Sequence, residues 1–311
     1  MRTYKKERTS TLIVGQESTD SPIKINVGPD VRAVTFSANG EYLLSGGKGG
    51  IQVWQMGDGK QMATMKAKEV YCLAVSNDGR WIAAGTYDGD VYVWDAETCE
   101  QAWSHRESDT VNTVDFSPNS TRLVTGLDDG KATIWDVVAR KQVQTLDHES
   151  YVCATKYSAQ GDRLATGTRQ FVRVWDHDGR LLVTIKVRVV PYYNTGLLWS
   201  NNHIFALSDG QIKQFEASPT ESAVSEWPVP NTSLFSCITL PKRKAFIAYS
   251  TNRTVTLWDT TTRTQLSLIE DTQYTYSIAI SPDDQFLAIG GGSGYIIIRN
   301  LAHITVSFVY R

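Results

Sequence analysis

Seven stretches of this chain repeat one another at an interval of about 40 residues, and that interval constrains the fold more than any other feature. Aligned on the large residue that ends one alternating run, the copies fall at Trp54, Trp94, Trp135, Trp175, Phe215, Trp258 and Arg299, with steps of 40, 41, 40, 40, 43 and 41 residues. Aligned on the last apolar residue of an earlier run, they fall at Phe36, Val75, Phe116, Tyr157, Trp199, Leu240 and Ile280, with steps of 39, 41, 41, 42, 41 and 40. Two independent anchors that give one period establish a repeat architecture.

The copy at 111–136 reads most plainly. Val111, Val114 and Phe116 alternate loosely with polar residues, the pattern of a half-buried strand. Ser117-Pro118-Asn119-Ser120 is a run of turn formers, Arg122 to Thr125 a second strand, and Asp128-Asp129-Gly130 a tight hairpin turn. Lys131 to Trp135 is a third strand, and Lys141 to Leu146 an outer one. A sheet this small cannot bury both of its faces alone. Units of ~40–45 residues with four short strands each are the blades of a β-propeller. The expected fold is all-β, a seven-bladed propeller of four-stranded antiparallel blades. Repeat cores are placed at about 31–65, 70–106, 111–146, 152–187, 194–216, 235–269 and 275–310, after a flexible tail at 1–21.

Four copies end in Trp-Asp: Trp94-Asp95, Trp135-Asp136, Trp175-Asp176 and Trp258-Asp259. Here the chain resembles the WD-repeat β-propeller family, over roughly residues 22–310. The resemblance implies that a blade is pinned by a chain of histidine, hydroxyl, aspartate and tryptophan. In blade 3 it implies Thr125, Asp129 and Trp135, with His105 as the imidazole although it stands twenty rather than eighteen residues before Thr125. In blade 4 it implies His148, Thr166 and Trp175, without the aspartate. Blade 2 keeps Asp88 and Trp94 but has Ala84 at the hydroxyl position, and blade 5 keeps Asp209 alone. Trp54 and Trp258 are the remaining core tryptophans.

The resemblance further implies that a strand from one terminus completes the blade built from the other. Residues 22–27 (PIKINV) are the expected closing strand, with 305–310 (TVSFVY) adding outside it or replacing it. Glu216 to Asn231, with Pro219, Pro228 and Pro230, reads as an exposed loop.

Composition narrows the function classes. With 31 basic and 33 acidic residues, nothing global favours nucleic acid or an anionic membrane. The basic residues Arg2, Lys5, Lys6 and Arg8 read as a solvated terminus. Cys72, Cys99, Cys153 and Cys237 form no CxxC, so neither a disulfide framework nor a zinc site is expected. No apolar run approaches a membrane span, and the N-terminus lacks the apolar stretch of a secretory signal. The expectation is an intracellular protein, cytoplasmic rather than nuclear. Its five histidines lie on separate blades or turns, and no HExxH, phosphate loop or GxSxG is present. No cofactor, metal or catalytic residue is expected.

One rim of such a ring is built from the loops before each inner strand and from each second turn, and loops on a rigid scaffold carry binding. Taking Thr110, Asn112 and Asp128 of blade 3 as the template, the expected partner-binding rim comprises Arg32, Lys48, Tyr71, Tyr87, Asp128, Tyr151, Arg169, Tyr193, Tyr274 and Tyr276. Tyrosine and arginine dominate interface hot spots. The reading is a non-catalytic scaffold for proteins or peptides, acting as a monomeric ring or as a subunit of a larger complex. The alternative is a reader of phosphorylated or otherwise modified peptides, with Arg32, Lys48 and Arg169 as anion contacts. The third, an enzyme using the central channel, has no residue constellation behind it.

Overall fold

The computed structural model describes residues 22–28, 30–189, 196–200, 203–208, 211–217, 223–228, 238–239, 246–250, 253–260, 262–270 and 274–301. Its regular elements are β-strands in seven antiparallel four-stranded sheets. We call them blades 1 to 7 after the chain order of their inner strands. Those inner strands touch their neighbours in a closed circle, from Val31–Phe36 of blade 1 to Thr275–Ile280 of blade 7 and back.

The expectation of a seven-bladed propeller of four-stranded antiparallel blades does not hold. Among the described residues six sheets have inner strands of four to six residues, and blade 6 has Ile238–Thr239 in that place. Six blades are therefore complete and the seventh sheet is rudimentary. The sequence offers a reason: Pro241, two residues beyond Thr239, has no amide proton for a ladder. Glu216–Asn231 is corrected too. It contains the outer strand Ala223–Pro228, which pairs with Gln211–Phe215, and Pro228 is tolerated because it ends an edge strand.

The core lies between blades. One apolar cluster joins Val31, Val34, Leu43 and Trp54 of blade 1 to Ala288, Ile296 and Ile298 of blade 7. Others join blades 1 and 2, 2 and 3, 3 and 4, 4 and 5, and 6 and 7. A recurrent close approach sets the spacing. A methyl on Gly85 would stand 2.3 Å from Val111 Cγ1 of the next blade, and one on Gly126 2.8 Å from Val152. Gly46 faces Val70 and Gly290 faces Val31 in the same way.

The first turns are fixed by serine. Ser37, Ser76, Ser117, Ser158 and Ser281 each accept a hydrogen bond at Oγ from the amide five residues on, at 2.9–3.1 Å. Ile23–Asn26 pairs antiparallel with Tyr295–Ile298, so the N-terminal segment supplies the outer strand of blade 7. Residues 305–310 lie outside the described residues.

Replacing Gly85 with alanine is expected to destabilise the ring by about 1–3 kcal/mol through overpacking against Val111. Gly57→Ala, where a methyl meets nothing within 4 Å, is the control expected to stay within about 0.5 kcal/mol of wild type. Urea unfolding of both variants checks the difference.

Candidate functional site: the pinned rim

Blade 4 holds the most complete pin. Trp175 Nε1–H donates to Thr166 Oγ1 at 2.9 Å, and the Thr166 hydroxyl lies 2.8 Å from His148 Nε2. His148 Nδ1 faces the carbonyls of Leu146 and Gly130 at 3.1 and 3.2 Å. One arrangement satisfies every donor: the indole to the threonine, the threonine to Nε2, and Nδ1–H to the carbonyls. It requires a neutral imidazole. Burial, aided by the charge of Arg173, holds the His148 pKa below its ordinary value.

Blade 3 uses a different acid. Trp135 Nε1–H donates to Thr125 Oγ1 at 3.3 Å, and Thr125 donates to Glu107 Oε1 at 2.8 Å. Glu107 stands eighteen residues before Thr125, as His148 does before Thr166. His105 instead lays its ring against Trp135, centroids 4.5 Å apart. Asp129 is outside the chain and binds Ser108 Oγ and Lys131 Nζ at 2.5 and 2.6 Å. Burial pushes the Glu107 carboxyl above its ordinary range, against the opposing hydrogen bond from Thr125.

The other blades are pinned less. In blade 1, Trp54 Nε1–H donates to Ser45 Oγ at 2.9 Å. Ser45 lies nine residues back, as Thr166 does in blade 4, because both second turns are one residue short. Counting ten back from every tryptophan therefore misses it. Trp94 stacks on Tyr92 at 5.3 Å. The buried Nε1 of Trp258 has no partner among the described residues.

The rim residues have a common structural origin. In blades 1, 2, 3 and 7 the inner strand shifts register after its first residue, between Val31 and Ala33, Val70 and Cys72, Val111 and Thr113, and Thr275 and Ser277. The residues left over are Arg32, Tyr71, Asn112 and Tyr276. A bulge of this kind re-aims a side chain. Asp30 and Glu69, two residues before the bulges of blades 1 and 2, have positive φ of 72° and 46°.

The re-aimed residues meet. Arg32 Nε donates to Asp30 Oδ2 at 2.9 Å, Nη1 lies 3.6 Å from Glu69, and the guanidinium stands 4.6 Å over the Tyr71 ring. Tyr71 tilts against Tyr87 at 5.3 Å. Burial raises the pKa of Tyr71 and Tyr276, with Arg32 acting against it in both. Tyr87 and Tyr274 are 52% and 47% exposed. Asn112 Nδ2 holds Asp128 Oδ1 at 2.7 Å. Arg169 stands 5.0 Å over Tyr151, and Arg253, which the repeat alignment did not single out, 4.9 Å over Tyr274. Tyr193 lies outside the described residues. Of the three proposed anion contacts, Arg32 is bound to Asp30, Lys48 lines a cleft on blade 1, and Arg169 sits on blade 4.

That cleft encloses about 210 Å³ between Val27, Asp30, Ser45, Gln52 and the turn Gly46–Gly50. Among the described residues no cluster of His, Cys, Asp or Glu could hold a metal ion. The described cysteines are free, and burial pushes the Cys153 thiol up to about 12, leaving it protonated. No described helix is long and apolar enough to cross a membrane.

Sheets of four antiparallel strands closed into a ring, with tryptophan–hydroxyl pins, define a WD-repeat β-propeller. A family model described as IFT122 first beta-propeller matches residues 30–300, and the chain belongs to that family. None of the curated proteins matches the chain.

Two pins predict opposite responses to pH. The lowered His148 value means that its stabilising contribution is present above the unfolded value of about 6.5 and is lost as pH falls through the folded one. The raised Glu107 value means the reverse: its contribution is present below the unfolded value of about 4.3 and is lost as pH rises through the folded one. Melting temperatures across pH 4–8 should therefore fall less on acidification in His148→Gln, and less on alkalinisation in Glu107→Gln, than in wild type. Thr166→Val, which removes the partner of Trp175 Nε1 and of His148 Nε2, is expected to cost about 1–3 kcal/mol in urea unfolding.

Proposed function

We propose that the chain is a non-catalytic scaffold that binds other proteins across the rim bearing Arg32, Tyr71, Tyr87, Asp128, Tyr151, Tyr274 and Tyr276. The observation that carries this reading is the repeated bulge, which spends a backbone irregularity in four blades on aiming one side chain each at the same rim. Residues re-aimed in this way do not serve the core. Exposed tyrosine beside arginine is the chemistry of an interface hot spot. The family match agrees with a protein-binding subunit of a larger complex. Free, buried thiols suit a reducing compartment, in keeping with an intracellular and cytoplasmic placement.

The test is affinity capture from native cell extract, comparing wild type with a variant carrying Tyr87→Ala, Tyr151→Ala and Tyr274→Ala. Tyr87 and Tyr274 are exposed whereas Tyr151 packs on the core between blades 4 and 5, so the melting temperature of the variant is measured beside the capture to show that it still folds. Partners should be lost or bound at least about 30-fold more weakly, the effect of one hot spot worth ~2 kcal/mol. The same partners held equally by both proteins would move the binding surface elsewhere.

A further inference from the structure

We propose that the blade 1 cleft receives a carboxylate: an Asp or Glu side chain of a protein lying across the rim, which completes the pin that blade 1 lacks. This rests on the rim reading and deepens it by naming the chemistry at one point.

The equivalence of three positions carries the argument. Val27, Glu107 and His148 each donate a backbone N–H to the glycine carbonyl that ends the second turn of the preceding blade. The partners are Gly294, Gly89 and Gly130, at 2.9, 2.9 and 2.8 Å. Each also stands eighteen residues before its blade's hydroxyl, Ser45, Thr125 or Thr166. In blade 3 the side chain at this place is a carboxylate that accepts the hydroxyl, and in blade 4 an imidazole. In blade 1 it is an isopropyl group, which accepts nothing.

Ser45 is left with an unused donor. It is 1% exposed, accepts from Trp54, and donates to no described residue. A buried donor without an acceptor carries an uncompensated desolvation cost, which an arriving acceptor would recover. Space for one is present: the cleft of about 210 Å³ lies between Val27, Ser45 and Gln52, the counterparts of His148, Thr166 and Arg173 in blade 4. It exceeds the ~150 Å³ that suffices for a benzene ring. Lys48 and Gly49, both exposed, stand on its wall and give access from the rim.

Charge selects carboxylate over imidazole. Asp30, the carboxylate on the wall, is already held by Arg32. Lys48 makes no ion pair among the described residues, so it is the cation available to an entering group. A carboxylate there takes a hydrogen bond from Ser45 and a charge-assisted one from Lys48.

The experiment follows the Trp54 indole N–H by nuclear magnetic resonance in the whole chain. Acetate, imidazole, a capped Gly-Glu-Gly peptide and its Gln counterpart are added in turn. Acetate and the Glu peptide should shift the signal saturably, and the Gln peptide should bind at least about tenfold more weakly, a difference of ~1.4 kcal/mol. Val27→Glu, which fills the cleft from within, should abolish the response and raise the melting temperature. Should that variant not fold, Lys48→Ala replaces it, with loss of the response supporting the proposal and an unchanged response overturning it. The proposal is overturned by no response to any probe, by a response that survives Val27→Glu, or by tighter binding of imidazole. A response to acetate but not to the peptide would assign the cleft to a free carboxylate and overturn its role in protein binding. Partners lost from the tyrosine variant but held unchanged by Val27→Glu would leave the rim reading standing and overturn this one.

Discussion

Each blade has two apolar faces, and a four-stranded sheet alone can cover neither. That constraint organises the whole molecule. Every apolar cluster named above lies between neighbouring sheets, so a blade's stability belongs to its interfaces rather than to itself. Stacking in a line would leave two exposed end faces; closing the circle leaves none. The closure is made by four residues, Ile23–Asn26, whose Ile25 is buried against Ile296 and Ile298. Glycine on the second strand makes the interfaces tight: with a side chain there, each sheet would stand off from the next.

Because interfacial packing holds the ring, the pins can degrade. A buried tryptophan contributes ~3–5 kcal/mol on truncation, against ~0.5–1.5 kcal/mol for a neutral hydrogen bond. Trp94 keeps its packing without a hydroxyl partner, and Arg299 takes the place of tryptophan in blade 7. Pin positions are thus free to change chemistry from blade to blade. Histidine, glutamate and valine occupy one backbone site in blades 4, 3 and 1, and the same ladder of amide-to-glycine bonds holds all three.

What was legible in the sequence follows from the same physics. The period, the strand order and the closing segment were readable because burial enforces alternation and the tryptophan marks register. The pin of blade 4 was readable because its spacing and residue types both match. Glu107 was passed over because the search looked for an imidazole and accepted His105 two residues away. The backbone fixes the position and leaves the side-chain type open. Ser45 was missed because a short second turn moves the hydroxyl one residue. The outer strand Ala223–Pro228 was hidden by prolines that an edge strand tolerates, and the short inner strand of blade 6 by an apolar anchor, Leu240, that keeps the period. Bulges were invisible altogether. They add one residue to a strand without altering the repeat length, so Arg32, Tyr71, Asn112 and Tyr276 read as ordinary alternating positions.

Those bulges also explain how one ring keeps a constant core while its rim varies. A bulged residue has no ladder partner, so its side chain is freed from the alternation of the strand and can reach the next blade, as Arg32 reaches Glu69 and Tyr71 and Asn112 the carbonyl of Val152. Arginine, tyrosine and asparagine occupy the same bulge in neighbouring blades. The charges that result are mostly settled within the rim: Arg32 by Asp30 and Glu69, Asp128 by Asn112. Arg253 and Arg169 rest on tyrosine faces. Lys48 is different. It stands beside a buried hydroxyl with no acceptor, at the place where two other blades carry one of their own. On the proposal above, blade 1 is where a partner would make an ionic contact.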